Sequence, residues 1–456
     1  MRLLIQLLVI YHMFLDKIEI RNFKSLEEVS INPSKITVLI GPNSSGKSSI
    51  LQFLAILKQS IALRGNNQRG QFTTRGELID LGDFQEVVIN HNLSKEIQFF
   101  IEGQSTVNYE LEKTFGSGIA KFSYGCSISD QGITSIDFSL ALGKTIAKFN
   151  AREPYHIPKH QNVEVIFPEG RSEVQAKGYG GLLPTFNFNK YPAPAQAKME
   201  AFQRYFQNSD EFSKFFLDFH YVPTSRVIDE YSFPYEDFWQ DDIIGSKGHR
   251  QNISRLMTHL ISNPNDTQII SDWLKKLIGK GIRTKTVRAY QKKQEGPDIT
   301  IEFVRGNVVN SIINEGAGPS QLVLLLTILA ISKNNSIIGI EEPEINLHPK
   351  GQSELAKILL DIAITKNQQI IFTTHSEHIL YPLLTSVASK KENSLRKEDL
   401  SIYYFDSDKN YHTFSEKLEV DDYGRIKGGL RGFFEENIKS LNEYLDAVKE
   451  DQKEKK

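Results

Sequence analysis

The chain has 456 residues, of which 39% are hydrophobic and 24% are charged, and its formal net charge is −2. This length allows a large core and predicts two or three structural units, whereas the near-neutral charge excludes a protein that binds polyanions over its whole surface. The single cysteine, Cys126, excludes a disulfide within the chain and fits a reducing cytoplasm. The apolar run over residues 1–10 is too short to span a bilayer. We therefore expect no membrane partner, and we expect the residues before Met13 to be dispensable.

The first predicted elements are two short strands and a third strand that leads into a glycine-bearing loop. Residues 15–20 alternate between apolar and polar side chains, as a strand does, and the continuous apolar run Ile36–Ile40 predicts a buried strand. A second apolar run starts at Ile50 and predicts a helix that ends near Ala62. The loop between these runs, residues 41–49, reads GPNSSGKSS, so the chain order is strand, loop, helix.

The spacing G-x-x-x-x-G-K-[ST] in that setting indicates a phosphate-binding loop. Gly41 and Gly46 allow the backbone to curl so that successive N–H groups point at an anion, and the helix that follows adds the positive end of its dipole. Lys47 is predicted to reach the β- and γ-phosphates of ATP, and the Ser48 hydroxyl is predicted to bind Mg²⁺. The predicted phosphate-contacting residues are Gly41, Pro42, Asn43, Ser44, Ser45, Gly46, Lys47, Ser48 and Ser49.

The middle of the chain is predicted to change architecture. Alternating segments between residues 87 and 149, such as 97–101 and 107–111, predict an antiparallel sheet beside the nucleotide site. Weak periodicity with many prolines and glycines over 154–194 predicts an irregular connection. Helical spacing over 197–279 predicts an inserted lobe that is mostly helical.

The last part of the chain alternates helices with buried strands from Pro319 onward. This alternation indicates βαβ units, and hence an α/β fold with a parallel sheet. The predicted division is residues 13–150 for the N-terminal part of the core, 151–298 for the lobe and 299–456 for the C-terminal part of the core.

Two acids end the buried strand predicted at residues 336–342. Because α/β proteins bind ligands at the carboxyl ends of parallel strands, we expect these acids beside the phosphate-binding loop. Glu341 can hold Mg²⁺ directly or through water, and Glu342 can polarise the water that attacks the γ-phosphate.

A histidine, His375, ends the next buried strand, which begins at Gln369. A neutral imidazole at that place can hydrogen-bond the γ-phosphate or the attacking water. The sequence therefore predicts three catalytic residues, Lys47, Glu342 and His375.

A second helix start, at residues 314–321, is a weaker candidate for an anion site. Its glycines allow a close backbone approach, and Pro319 suits a first helical turn. A helix N-terminus exposed there can face an anion. The alternative is an ordinary glycine turn into a core helix.

Taken in order, these segments resemble the soluble ABC-superfamily ATPases of the branch that contains RecF, SMC and the overcoming-lysogenization-defect (OLD) proteins. Residues 41–48 match the Walker A motif, and residues 337–342 match Walker B with its catalytic glutamate. Residues 344–349 match the D-loop, and His375 matches the switch histidine. Residues 314–321 look like a divergent form of the signature motif.

The resemblance implies an ABC-type P-loop ATPase core with a mixed sheet flanked by helices and an antiparallel β subdomain. It also implies a homodimer or higher homo-oligomer in which the signature of one copy closes over the ATP held by another copy. Residues 21–25 resemble the N-terminal element that lies near the nucleotide, and Gln85 is placed like a Q-loop metal ligand, with a surface glutamine as an equal alternative. The further nucleotide-contacting residues that the resemblance implies are Asn22, Lys24, Glu315, Gly316, Gly318 and Gln321. The implied magnesium contacts are Ser48, Gln85 and Glu341.

Two other segments, residues 221–226 and 432–434, resemble stand-alone prokaryotic ATPases of phage-defence systems such as Septu and PARIS. The resemblance predicts an ATPase that controls a separately encoded effector, either a nuclease or a toxin. The alternative is a DNA-maintenance or repair ATPase that clamps DNA directly through a basic run, although a solvated surface accounts for that run equally well. The basic residues of the run are Lys275, Lys276, Lys280, Arg283, Lys285, Arg288, Lys292 and Lys293.

Overall fold

The computed structural model describes residues 13–62, 72–107, 109–152, 161–167, 170–179, 185–188, 218–226, 228, 230–235, 249–287 and 298–429. Residues 1–12, the helical pattern predicted between 197 and 217, and the segment 432–434 lie outside these ranges. Within the ranges, no helix combines the length and the apolarity needed to cross a lipid bilayer.

The described residues form helices, strands and short 3₁₀ turns. The helices are α1 (Lys47–Ala62), α2 (Phe84–Val87), α3 (Tyr109–Phe115), α4 (His249–Ser262), α5 (Pro264–Ile278), α6 (Ala317–Ile331), α7 (Pro349–Thr365) and α8 (Glu377–Ser389). The strands of the first half are β1 (Met13–Phe23), β2 (Leu26–Ile31), β3 (Ile36–Ile40), β4 (Ile97–Thr106), β5 (Ile119–Ser129), β6 (Gly132–Leu142), β7 (Thr145–Arg152), β8 (Gln161–Phe167), β9 (Gly170–Tyr179), β10 (Thr185–Phe188) and β11 (Phe219–Val222). The remaining strands are β12 (Phe233–Pro234), β13 (Gly281–Val287), β14 (Asp298–Arg305), β15 (Val308–Ser311), β16 (Ile337–Glu341), β17 (Gln369–Thr373), β18 (Leu400–Ser407) and β19 (Thr413–Leu418). The 3₁₀ turns are Ile89–His91, Ile312–Asn314 and Lys397–Asp399.

Fifteen of the described strands form one mixed sheet. Their order is β10-β9-β8-β7-β6-β5-β4-β1-β2-β19-β18-β3-β17-β16-β11. The strands from β18 to β11 pair in parallel, whereas those from β10 to β2 pair antiparallel. The predicted mixed sheet, flanked by helices and carrying an antiparallel part, is confirmed.

The parallel strands are buried on both faces, which explains their continuous apolar sequences. On one face, Leu39 of β3 joins a core that includes residues of α1 and of the antiparallel strands. On the other face, Val38 and Ile40 join a second core that includes residues of α4 to α8. Phe53 of α1 packs edge-on against Phe23 and against Phe99, with ring centroids 5.2 Å apart in both pairs. Because α1 also packs against β16 and β17, the helix after the phosphate-binding loop contacts both the antiparallel and the parallel part of the sheet.

Two predictions about the middle of the chain were wrong. Residues 154–194 were expected to be irregular, but β8, β9 and β10 extend the antiparallel part of the sheet, because the free edge of β7 offers unpaired backbone groups to the chain that follows. Residues 107–111 were expected to be a strand, but α3 begins at Tyr109. The Val107 N–H donates to the Gly118 carbonyl in register with the last β4–β5 pair, Thr106 with Ile119, and the chain turns into the helix directly after this bond.

A second, smaller antiparallel sheet contains β12, β13, β14 and β15. Helices α4 and α5 pack against it, and α5 also packs against α6 and α7. The helical spacing predicted for α4 is confirmed, because Ile253, Leu256, Met257 and Leu260 are all buried. The described residues of the predicted lobe thus include strands as well as helices. The division of the chain into residues 13–150, 151–298 and 299–456 stays a prediction.

The C-terminal strand β18 pairs with β3 and lies directly against the phosphate-binding loop. An added Cβ at Gly41 would lie 2.0 Å from the carbonyl oxygen of Phe405 in β18. At Gly46, an added Cβ would lie 2.5 Å from Oγ1 of Thr413, the first residue of β19. Both positions need glycine because the backbone of the loop approaches its neighbours so closely.

We expect Gly41→Ala to destabilise the fold strongly, because the methyl group would overlap a backbone carbonyl and the φ of +144° is strained for other residues. The matched control is Gly116→Ala, since Gly116 also has a positive φ, +68°, but an added Cβ there meets no atom within 4 Å. Equilibrium urea unfolding should show a loss of about 3–5 kcal/mol for Gly41→Ala and about 1–2 kcal/mol for the control. Equal losses would contradict the close packing of β18 on the loop.

Candidate nucleotide-binding site

Three neighbouring parallel strands end at the same level of the main sheet. Leu39 of β3 lies beside Thr373 of β17, which in turn lies beside Glu341 of β16. The loop after β3, the residue after β16 and the residues after β17 therefore meet at one edge, where they surround a cavity of about 310 Å³. The residues that line this cavity are Lys24, Ser25, Asn43, Ser44, Ser45, Gly46, Lys47, Ser48, Ser49, Gln52, Glu342 and His375.

The phosphate-binding loop curls around Lys47. The backbone φ is positive at Gly41, Ser44 and Gly46, which turns the chain tightly. Lys47 is 5% exposed, and its ammonium donates to the carbonyl oxygens of Gly41, at 3.1 Å, and Pro42, at 2.5 Å. Burial lowers the pKa of Lys47 to about 8, against the opposing attraction of nearby carboxylates. The loop thus holds a buried cation beside the cavity.

Glu342 and His375 face this cavity from adjacent strand ends. Their side chains are 33% and 34% exposed, and His375 Nε2 lies 4.0 Å from Glu342 Oε1. Burial, and secondarily the charge of Lys47, lowers the pKa of His375, so its imidazole is neutral at pH 7. A neutral imidazole has one donor and one acceptor nitrogen, whereas the Glu342 carboxylate only accepts. The two groups can therefore bind a water molecule or a phosphate oxygen from complementary sides.

Glu341 lies behind the cavity wall and is held by three donors. Its Oε1 accepts from the Tyr221 hydroxyl at 2.8 Å and from Gln52 Nε2 at 3.1 Å, and its Oε2 accepts from Thr224 Oγ1 at 3.0 Å. Gln52 lines the cavity, and its Oε1 accepts from Lys24 Nζ at 2.8 Å. The carboxylate of Glu341 is therefore fixed in position, and Gln52 connects it to the cavity.

Glu344 joins the D-loop to the histidine. Its Oε1 accepts from Thr374 Oγ1 at 2.6 Å and from the backbone N–H of His375 at 2.9 Å. Burial raises the pKa of Glu344, because the charged form is poorly solvated there. A shift of the D-loop would thus displace the backbone of His375 directly.

Asn22 and Gln85 do not line the cavity. The Asn22 side chain donates to the carbonyl oxygen of Glu96 at 2.8 Å and so holds the turn after β1. Gln85 is exposed on α2, where its backbone carbonyl contacts His91 Nδ1 at 2.9 Å. Lys24, from the same N-terminal element as Asn22, does line the cavity. The roles of Asn22 and Gln85 at a nucleotide stay predictions.

The candidate signature residues lie at the start of α6, away from the cavity that Lys47 lines. Gly316 is the N-cap residue of α6, with a φ of +82°. An added Cβ at Gly318 would lie 2.9 Å from Asn346 Cβ, so this glycine lets α6 approach the D-loop. Asn346 also donates to Gln321 Oε1 at 3.0 Å. Glu315 pairs with Lys280. Because none of Glu315, Gly316, Gly318 and Gln321 lines the cavity, the contact of these four residues with nucleotide stays a prediction.

The cavity fits a magnesium–triphosphate group. The positive φ at Gly41, Ser44 and Gly46 curls the loop, so that its backbone N–H groups can cradle an anion. Ser48 supplies a hydroxyl oxygen at the cavity, which is a ligand type that Mg²⁺ accepts, and Glu341 supplies negative charge behind it. When bound, Mg²⁺ would neutralise part of the phosphate charge.

Sequence reasoning missed the support behind these residues. Gln52 lies four positions after Ser48, on the same face of α1, and a single polar residue at that spacing in the apolar run of residues 50–57 was the available signal. Tyr221, Thr224 and Arg226 belong to a segment that the sequence marked only by resemblance. Their contacts with the Walker B strand depend on the pairing of β11 with β16, which no local pattern reveals.

We predict that ATP affinity falls above about pH 8, because the Lys47 ammonium deprotonates there and loses its attraction for the phosphates. We expect bound phosphates to raise the pKa of this lysine above its value of about 8 in the free protein. The dissociation constant for ATP should therefore be constant below about pH 7 and rise by up to about tenfold per pH unit above about pH 8. The measurement is titration with a fluorescent ATP analogue from pH 6.5 to 10.

The control for this pH dependence is Lys47→Arg, whose guanidinium does not deprotonate in this range. It should bind ATP more weakly but without the alkaline loss. The same alkaline loss in Lys47→Arg would assign the titration to another group.

The model of the family described as the AAA ATPase domain matches residues 13–120 and 224–380, which is more than half of the chain. A family described as a protein of unknown function (DUF3696) matches residues 395–443. No curated protein matches the chain.

Solved structures that are similar to the chain at low identity include SMC head domains. An Smc head bound to the C-winged helix domain of ScpA has 15% identity and a TM-score of 0.44, with 89% of this chain and 98% of that chain covered. The Smc head domain with an extended coiled coil, bound to the C-terminal domain of ScpA derived from Pyrococcus furiosus, has 14% identity and a TM-score of 0.41, with 95% of this chain and 99% of that chain covered. The SMC head domain from Thermotoga maritima has 11% identity and a TM-score of 0.37, with 89% of this chain and 99% of that chain covered. The ranges matched by the AAA ATPase domain model contain the phosphate-binding loop and the ends of strands β16 and β17 that border the cavity. Because this model matches more than half of the chain, the chain belongs to the AAA ATPase domain family.

Proposed function

We propose that this protein binds ATP with Mg²⁺ and hydrolyses it to ADP and phosphate. The observation that carries the proposal is the arrangement of a buried cation, a carboxylate and a neutral imidazole around one cavity, supplied by Lys47, Glu342 and His375. These groups match the three tasks of phosphoryl transfer, which are charge stabilisation, proton acceptance from water and orientation of the reacting groups.

In the proposed reaction, the Lys47 ammonium stabilises charge on the β- and γ-phosphates. Glu342 accepts a proton from a water molecule whose oxygen bonds to the γ-phosphorus, and the bond from that phosphorus to the β–γ bridging oxygen breaks. ADP leaves with the electron pair of that bond, and the proton ends on the products. His375 donates a hydrogen bond to a γ-phosphate oxygen or orients the water.

We further propose that ATP joins two copies of the chain head to tail. The start of α1 lies at the cavity, whereas the start of α6 lies elsewhere, with open space beside Gly316, since an added Cβ at that residue meets no atom within 4 Å. A second copy could therefore present its α6 N-terminus, with Glu315, Gly316, Gly318 and Gln321, to the γ-phosphate. Nucleotide would then shift the population between monomer and dimer.

The biological role that we propose is control of a separately encoded effector, a nuclease or a toxin, in prokaryotic antiphage defence. It is supported by the resemblance of residues 221–226 to stand-alone defence ATPases. The single cysteine, Cys126, is buried, and we place the protein in the cytoplasm.

Direct clamping of DNA gains little support from the described residues. Four of the five described basic residues in the predicted run form ion pairs with acids. The acids offset the positive charge of these residues and so weaken their attraction for DNA phosphates. Arg288, Lys292 and Lys293 lie outside the described residues. The observed pairs are Lys275–Asp272, Lys280–Glu315, Arg283–Glu302 and Lys285–Glu302.

The variant Glu342→Gln should keep ATP binding and lose hydrolysis by about a hundredfold or more, because the base is removed while the phosphate-binding loop is intact. With ATP it should accumulate as a dimer of twice the 52.0 kDa chain mass, as measured by size exclusion with light scattering. Lys47→Ala is the contrasting variant and should lose ATP binding by about a hundredfold and the dimer with it. Normal turnover by Glu342→Gln would exclude it as the base.

The role is tested by a pull-down of the tagged protein with the products of neighbouring genes, in ATP and in ADP. We expect one partner protein to be retained in only one nucleotide state and to be lost with Lys47→Ala. DNA-stimulated ATP hydrolysis that disappears when Lys285 and Arg288 are neutralised would instead support direct clamping.

A further inference from the structure

We propose that Arg226 is a positioning residue for ATP hydrolysis, which holds the backbone of Glu342 in the conformation that aims its carboxylate into the cavity. This inference rests on the proposed function. Arg226 comes from the segment between β11 and β12, and it is far in sequence from every motif of the phosphate-binding loop and of the Walker B strand.

The backbone of Glu342 is strained. Its φ is +42°, in the left-handed region that residues with a Cβ rarely adopt, and the residue that follows is Pro343. Such a conformation is unfavourable for a residue with a Cβ and persists only where surrounding contacts enforce it. On one side, the Glu342 N–H contacts the carbonyl oxygen of Thr373 at 3.2 Å and its Oγ1 at 3.1 Å.

Arg226 enforces the same conformation from the other side. Its Nη1 donates to the carbonyl oxygen of Glu341 at 2.8 Å, and its Nη2 donates to the carbonyl oxygen of Glu342 at 3.0 Å. Nη1 also donates to the carbonyl oxygen of Pro223 at 2.9 Å. The planar guanidinium thus bridges two successive carbonyls, which fixes the peptide between the two acids.

The charge of Arg226 suits this place. Its side chain is 3% exposed, and burial lowers its pKa to about 10, while the carboxylates of Glu344, Glu341 and Glu342 oppose the shift. The guanidinium therefore remains charged at pH 7. It offsets part of the repulsion that three neighbouring carboxylates would otherwise exert on one another.

Neighbouring side chains of the same segment hold a different group. Tyr221 and Thr224 donate to the side chain of Glu341, whereas the guanidinium of Arg226 donates to the backbone carbonyl oxygens of Glu341 and Glu342. Removal of the Tyr221 hydroxyl should therefore affect the predicted magnesium ligand, and removal of the guanidinium should affect the base. This difference separates positioning of Glu342 from a general loosening of the segment.

The test compares Arg226→Lys, Arg226→Met and Tyr221→Phe in steady-state ATP hydrolysis. We expect kcat to fall about tenfold in Arg226→Lys, since an ammonium keeps the charge but cannot bridge both carbonyls, and about a hundredfold in Arg226→Met. The KM for ATP and the affinity for a fluorescent ATP analogue should change less than about twofold, because the phosphate-binding loop is untouched. Tyr221→Phe should raise the Mg²⁺ concentration needed for half-maximal activity and leave kcat at saturating Mg²⁺ near the normal value.

A double variant tests whether Arg226 acts through Glu342. Once Glu342→Gln has removed the base, adding Arg226→Met should lower the residual single-turnover rate by less than about twofold. A loss that multiplies with that of Glu342→Gln, or normal kcat in both Arg226 variants, would overturn the inference. Thermal unfolding shows whether each variant is folded, and if Arg226→Met is not, Arg226→Lys decides by the same criteria.

The outcomes also distinguish this inference from the proposed function. If Lys47→Ala and Glu342→Gln lose activity as expected but the Arg226 variants do not, only the role of Arg226 is wrong. If Lys47→Ala and Glu342→Gln both hydrolyse ATP normally, the proposed site itself is wrong.

Discussion

The lateral register of three parallel strands is the constraint on which this site depends. Because Leu39, Thr373 and Glu341 lie side by side in β3, β17 and β16, the groups that follow each strand emerge at one edge of the sheet. A slip of one residue in any of these strands would exchange its two buried faces. The two apolar cores, one on each face of the parallel strands, therefore fix the position of the polar residues as well as the stability of the sheet.

This register concentrates like charges, and the surrounding structure must compensate for them. Glu341, Glu342 and Glu344 lie within four residues of one another, and two of them are buried. The compensating cations, Lys47 and Arg226, are themselves almost fully buried and come from distant parts of the chain. Burial of such charges is unfavourable unless they attract one another and make hydrogen bonds. The arrangement thus couples the geometry of the phosphate-binding loop to that of the Walker B strand.

The C-terminal part of the chain belongs to the same physical unit as the loop. β18 pairs with β3, and its backbone at Phe405 lies where a side chain at Gly41 would otherwise be. The residues that match a family of unknown function, 395–443, include this strand, so that match covers part of the wall behind the candidate nucleotide site. The segment from β11 to Arg226 reaches the opposite side of the site and leads on to the second sheet through β12.

The sequence by itself determined the strand, loop and helix order over residues 36–62 and the buried strands β16 and β17, and it predicted the chemistry of the motifs that follow them. The glycine spacing, Lys47, the acids at 341–342 and His375 could be assigned because each is recognisable from a few adjacent residues and the apolar pattern that flanks them. Only the tertiary structure decided that Gln52, Tyr221, Thr224 and Arg226 support the acids, because those contacts join segments of the chain that lie more than a hundred residues apart. It also decided that β8, β9 and β10 continue the sheet, since backbone hydrogen bonds to a neighbouring strand can stabilise a segment whose own periodicity is weak.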